Sequence, residues 1–213
     1  TEKIHGTNFR ACYHGGRLWV GSHKLMRGCS RHRVTEALNR LWLKLKMALG
    51  IRHRADMLQE AGDVWWQMAD SLNLKEGLAR FPYYVLYGEI YGEGVQDLTY
   101  DSPRGRKFRA FDVFNMKENR FLNWSEFLEF IELIGLGPEN VVPILYEGPW
   151  GPEPWDWFKA FADFDASTLT PLGQKPHLTE GVVIKPQVET IHPHYGRVAL
   201  KYPGENYLTR KEG

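Results

Sequence analysis

Lys3 opens the run Lys-Ile-His-Gly-Thr-Asn, which places a lysine where an extended segment meets a tight turn. Four later clusters set isolated charges inside apolar strand-like runs. YGEIYG holds Glu89, FRAFDVF holds Asp112, EGVVIKP holds Glu180 and Lys185 at its two ends, and VALKYP holds Lys201. A charge in such a run is costly unless it is paired or functional. Two glutamates, an aspartate and three lysines in such places point to one shared pocket. A lysine nucleophile must be neutral to attack, and neighbouring cations with partial burial favour the neutral amine. Lys185 and Lys201 can supply that influence to Lys3 and can also hold a phosphate. The carboxylates can fix metal ions or their waters, and a metal offsets charge on a leaving pyrophosphate. An aromatic such as Phe111 can stack a base. This is equipment for moving a nucleotide onto a lysine.

The elements that must position these groups follow from periodicity. Asn8–Tyr13 and Arg17–Val20 read as strands around the turn signal His14-Gly15-Gly16. Tyr83–Tyr91, Phe108–Phe114, Val142–Tyr146, Gly181–Lys185 and Arg197–Lys201 read as further strands, with Val142–Tyr146 buried. Val34, Leu38, Leu41, Leu45 and Leu49 form one apolar helical stripe, and a second helix spans about Ala55–Leu72. Asn123 to Ile134 reads as a helix, with Asn123 as N-cap and Glu126 three residues on. Short helices are expected at Trp155–Phe164 and in the tail Glu205–Lys211. Strands, then helices, then strands again predict an α+β fold with an antiparallel-rich sheet.

Composition narrows the classes. The 213 residues carry 27 Lys and Arg against 26 Asp and Glu, a formal charge of +1, which excludes a polybasic protein and an acidic disordered one. No apolar run approaches the roughly 18 residues of a membrane helix. The two cysteines, Cys12 and Cys29, lie in no metal-ligand spacing, so a reducing, cytoplasmic setting is expected. Charge is uneven: Lys24 to Arg54 holds nine Lys and Arg and one acid, Glu36, a block suited to phosphates or to a solvated helix face. Asn115–Glu126 imitates a calcium loop, but Lys117 and Arg120 stand where a ligand and a glycine are needed. A hairpin and a capped helix are expected there instead. His192 and His194 flank a proline in a predicted turn, and Trp65-Trp66 is expected to pack in the core.

The order KIHGTN, GSHKLMR, YGEIYG, FRAFDVF, EGVVIK, LKY resembles the ordered motifs of the covalent nucleotidyltransferases, the polynucleotide ligases and capping enzymes. His-Gly-Thr-Asn after the lysine resembles the double-strand-acting RNA ligases. GEIYGEGVQDLTY, with VGSHKL before it and VPILYEGPW after it, resembles the Deinococcus-type and Naegleria-type RNA ligases. The likeness spans essentially the whole chain, so residues 1–213 are expected to form one adenylyltransferase domain. Its implied fold is the ligase adenylation-domain fold, with central antiparallel sheets flanked by helices.

The resemblance implies three steps. Lys3 takes AMP from ATP, the AMP passes to a 5′-phosphate RNA end, and a 3′-hydroxyl displaces it to seal the strand. It implies Mg2+ or Mn2+, RNA ends in a nicked duplex as substrate, and no obligate protein partner. By motif match Lys3 is the nucleophile and Glu89 contacts the ribose or a metal-bound water. Phe111 stacks the adenine, Glu180 organises a metal through water, and Lys185 and Lys201 contact phosphates. Glu2, Ile4, His5, Gly6, Asn8, Ser22, Arg27 and Asp112 are implied to line the nucleotide site. His5 departs from an aspartate common in relatives, and Ala199 stands where some RNA ligases carry another lysine. Relatives carry an additional N-terminal OB-type domain, so this sequence is expected to be part of a longer protein. A DNA ligase or GTP-using capping enzyme, and a silent nucleotide- or RNA-binding module, are the competing expectations.

Overall fold

A computed structural model describes residues 1–28, 64–98, 100, 105–163, 167–169 and 177–210. The predicted helix at Val34–Leu49, most of the basic block and Cys29 lie outside the described residues, as do residues 55–63 of the second predicted helix.

Among the described residues, six strands form one antiparallel sheet in the order β3-β2-β1-β4-β5-β6. They are β1 (Thr7–His14), β2 (Arg17–Gly21), β3 (Met26–Gly28), β4 (Tyr84–Gly92), β5 (Arg106–Asn115) and β6 (Arg120–Phe121). Alternation divides the central strands into two faces. Phe9, Ala11, Leu86, Ile90 and Ala110 are fully buried on one of them. Each large side chain there contributes roughly 1.5–3 kcal/mol relative to exposure. The helices α1 (Val64–Ser71), α2 (Leu74–Ala79) and α3 (Trp124–Leu133) add Met68, Leu74, Leu78, Phe127, Phe130 and Ile131 to the same core. Trp65 and Trp66 pack against this core, as predicted.

The other face carries the polar row Asn8–Glu89–Arg109 across β1, β4 and β5, and beside it Arg10–Tyr87–Asp112. Arg109 and Asp112 are three residues apart and would face opposite sides of a regular strand. The register shifts between Tyr87 and Gly88, and the extra residue on β5 is Phe111. This bulge brings Arg109 and Asp112 to the same face.

A second ladder pairs β7 (Gly181–Ile184) with β10 (Leu200–Pro203). The amino end runs along the free side of β7. Lys3 N–H donates to Gly181 O at 2.9 Å, Val183 N–H to Thr1 O at 2.9 Å, and Glu2 N–H to Pro143 O at 3.0 Å. The chain then crosses into β1. The hairpin β8 (Ile191–His192) and β9 (Gly196–Arg197) lies between β7 and β10 in sequence. The single 3-10 turn Pro138–Asn140 and the helices α4 (Pro152–Ala162) and α5 (Glu205–Thr209) complete the described elements.

Two expected strands are corrected. Val142–Tyr146 forms no ladder: Val142 N–H donates to Ala110 O at 2.9 Å, but Pro143 has no donor, and Ile144 and Tyr146 are 48% and 39% exposed. Arg197–Lys201 is divided, because Ala199 N–H turns back to Arg197 O at 3.0 Å. The imitation calcium loop is the β5–β6 hairpin followed by α3. Glu126 accepts the Asn123 N–H at 2.7 Å, while Asn123 Oδ1 accepts the Glu189 N–H at 2.8 Å.

Candidate active site

The site lies where the amino-terminal segment leaves the β7–β10 ladder and enters the large sheet. Lys3 Nζ forms an ion pair with Glu180 Oε1. Glu180 precedes Gly181, whose φ is +141°; an added Cβ there would collide with the Tyr202 carbonyl oxygen. Glycine at this position lets β10 approach β7 while the preceding carboxylate faces Lys3. Gly6 has the same kind of necessity, since a Cβ would strike the Ile90 carbonyl and press on Glu89 Cγ. The crossing chain therefore lies directly against the Glu89 side chain.

His5 is fixed on both ring nitrogens. Its Nε2 lies 2.6 Å from Asp97 Oδ1 and its Nδ1 2.8 Å from the Tyr207 hydroxyl, with Glu180 Oε2 at 3.8 Å from Nδ1. Its backbone N–H donates to the Tyr100 hydroxyl at 2.6 Å. Burial works against the charged imidazole, but Glu180 and Asp97 outweigh it and raise its pKa. Burial also opposes charge on Glu180, yet its contacts with His5 and Lys3 hold that carboxyl below its usual value. Ile4 is buried in the main core and anchors the turn.

Glu89 is treated differently. Burial pushes its pKa from 4.5 up to about 7; nearby Glu180 adds to the rise, and Lys3, Lys201 and His5 oppose it. Among the described residues no group of three or more His, Cys, Asp and Glu stands ready to hold a metal ion. Two carboxylates completed by phosphate oxygens and water are nevertheless a set that Mg2+ accepts, and their hard oxygens suit Mn2+ also. Glu89 fits such an ion because the protein alone does not fully compensate its charge. Its titration gives a direct prediction. In the metal-free chain the Glu89 carboxyl carbon should titrate by NMR with a midpoint near pH 7. The native pKa exceeds the unfolded value, so this group's contribution to stability is present below about pH 4.5 and is lost as pH rises through about 7. A midpoint near 4.5 would contradict the desolvated placement.

Lys185 leaves the end of β7 and donates to Phe111 O at 2.6 Å and to Asp112 Oδ1 at 2.7 Å. Lys201 is exposed on β10, opposite Val183. Phe111 is half-buried against the main core at the bulge. Asn8 stands opposite Glu89.

Two of the sequence-derived residues, Glu2 and Ser22, spend their side chains on other contacts. Glu2 is 1% exposed and points into a polar knot, accepting hydrogen bonds from the Ser167 and Thr168 hydroxyls and the Thr168 N–H. Ser22 shapes the turn into β3, with its hydroxyl accepting the Leu25 N–H at 3.3 Å. The Arg27 backbone pairs with Val20, and its side chain lies outside the described part.

Sequence reasoning missed Asp97, Tyr100, Tyr207 and Arg197. The first two lie in the GVQDLTY segment, whose contribution is physical: it holds the turn after the nucleophile candidate. The isolated charge in an apolar run, the signal that singled out Lys201, applied equally to Arg197.

The RNA ligase family model matches residues 1–203. The chain belongs to the RNA ligase family. Solved structures of a Naegleria gruberi RNA ligase share its fold. The complex with pyrophosphate aligns with a TM-score of 0.62, a complex with ATP and manganese with 0.63, and one with AMP and manganese with 0.66. Each is 18% identical and covers 98% of this chain, but only 49% to 50% of the Naegleria chain. This RNA ligase family chain thus spans about half the length of the ligases it matches. No curated protein matches the sequence. No helix among the described residues is long and apolar enough to cross a membrane.

Proposed function

We propose that this chain is the nucleotide-transferring part of an ATP-dependent RNA ligase that works through AMP bound to Lys3. The observation that carries the reading is the Lys3–Glu180 contact, flanked by Glu89, in a chain of this family. Attack needs the neutral amine, so the ammonium that Glu180 holds in place first gives up a proton to water, and the freed lone pair then faces the nucleotide. Nζ then bonds to the α-phosphorus of ATP, the bond from that phosphorus to the bridging oxygen breaks, and the electron pair leaves with pyrophosphate. Lys185 and Lys201 offer cations to the phosphates, acting where charge builds up. Phe111 stacks the adenine from the bulge. A divalent ion held by Glu89 and Glu180 would neutralise phosphate charge. AMP next passes to a 5′-phosphate RNA end, and a neighbouring 3′-hydroxyl displaces it. The ends belong to a nicked duplex.

The test is a chase. The chain is loaded with labelled ATP, freed of nucleotide, and mixed with RNA bearing a 5′-phosphate. Label should move to the RNA 5′ end, faster on a nicked duplex than on a single strand, and GTP should not replace ATP. Label that never leaves the protein would contradict RNA end activation. Equal transfer to single strands would contradict the nick preference.

A further inference from the structure

Asp112 joins two halves of the site. Its Oδ1 accepts Lys185 Nζ at 2.7 Å and an Arg197 terminal nitrogen at 2.8 Å, and its Oδ2 accepts the other terminal nitrogen at 2.7 Å. The same guanidinium grips Glu189 with both oxygens, at 2.6 Å and 2.9 Å. Its carbon lies 3.7 Å from the centre of the Phe121 ring. A planar guanidinium spanning two carboxylates and resting on a ring has little freedom left. Glu189 is itself tied to α3 through Asn123, and Trp124 N–H donates to Gln187 O at 2.8 Å. The excursion between β7 and β10, which begins after Lys185 and ends before Lys201, is therefore pinned to the large sheet through Arg197.

We infer that Arg197 is a positioning residue that sets the Lys185 ammonium by fixing the plane of the Asp112 carboxylate. Lys185 has three N–H donors. Asp112 Oδ1 and Phe111 O take two of them, and both acceptors belong to the bulged stretch of β5. The third is thereby directed, and on the ligase reading it points to a phosphate oxygen of the nucleotide. Without Arg197 the carboxylate can rotate, and Lys185 follows it. Lysine at position 197 keeps the charge but cannot span both carboxylates.

The inference rests on the ligase reading for its kinetic consequence but not for its geometry, and the experiment separates the two. The rate of Lys3–AMP formation at saturating ATP is measured for wild type, Arg197→Gln, Arg197→Lys, Lys185→Ala and Arg197→Gln/Lys185→Ala. Exchange protection of the Lys185 Nζ protons is followed by NMR in the same Arg197 variants. Both Arg197 replacements should lower the saturating rate roughly ten- to hundredfold, the order expected from misplacing a reacting group's partner by about 1 Å. In the Lys185→Ala background, Arg197→Gln should change the rate by less than about twofold, because both act through one ammonium. Nζ protection should fall with Arg197→Gln. A full additional loss in the Lys185→Ala background, which a merely structural arginine would give, overturns the inference. So does unchanged Nζ protection. A wild-type chain that forms no adduct would remove the ligase reading, while the Nζ measurement still decides the role of Arg197.

Discussion

Arginine in place of Lys3 should abolish covalent adenylation and leave the fold intact. A guanidinium keeps the positive charge and can still meet Glu180, which holds the lysine ammonium in the native chain. It is never neutral in a protein, so it cannot present a lone pair to phosphorus. The backbone ladder around position 3 uses only main-chain groups: Lys3 N–H to Gly181 O and Val183 N–H to Thr1 O. It does not depend on which cation stands there. Loss of at least about 10⁴-fold in adduct formation is expected, the scale seen when a nucleophile is removed. Transfer of labelled AMP to the protein, read after denaturation at neutral to alkaline pH where the phosphoramidate bond survives, measures it, with thermal unfolding alongside. Adduct formation within tenfold of wild type would show that another side chain carries the nucleotide.

Glu180→Gln should come next in size, with a fall of roughly 10²–10³-fold in the same assay. The amide has the shape of the carboxylate but no charge. It loses the ion pair that holds the Lys3 side chain in place and removes one acceptor from the group facing His5. It also halves the charge available to a divalent cation at Glu89 and Glu180. A packing role would predict the opposite, because an isosteric amide preserves volume. Saturating rates near wild type would therefore assign Glu180 to packing rather than to chemistry. Titrating Mg2+ or Mn2+ should show a weaker metal requirement curve in Glu180→Gln, and an unchanged curve would place the ion elsewhere.

Much of this arrangement is legible in the sequence. Strand alternation in Phe9–Ala11 and Leu86–Ile90 sets the core face, and the flanking charges of EGVVIKP end up bracketing β7. His14-Gly15-Gly16 makes its predicted turn between β1 and β2. What periodicity could not show is a change of register. FRAFDVF reads as a regular strand, on which Arg109 and Asp112 would part. Only the extra residue at Phe111 unites them, and a bulge leaves no mark in alternation. The same limit applies to Val142–Tyr146, whose apolar residues fit a strand until Pro143 denies the ladder a donor. Glu2 was misleading for another reason. Its neighbour in sequence is the proposed nucleophile, but successive strand residues point to opposite sides, so Glu2 turns inward to Ser167 and Thr168. Arg197 lay in a segment read as one strand with Lys201. The break at Ala199 puts the two cations on separate strands, Arg197 on β9 and Lys201 on β10.

The likeness of motif order and the observed geometry converge on one atom, Lys3 Nζ. The direct test is intact-mass spectrometry of the denatured chain after incubation with ATP and Mg2+ or Mn2+, followed by peptide mapping. The account predicts a gain of one adenylyl group, located on Lys3, formed with ATP but not with GTP. A chain that binds ATP under these conditions yet shows no added mass, or carries it on a residue other than Lys3, would contradict it.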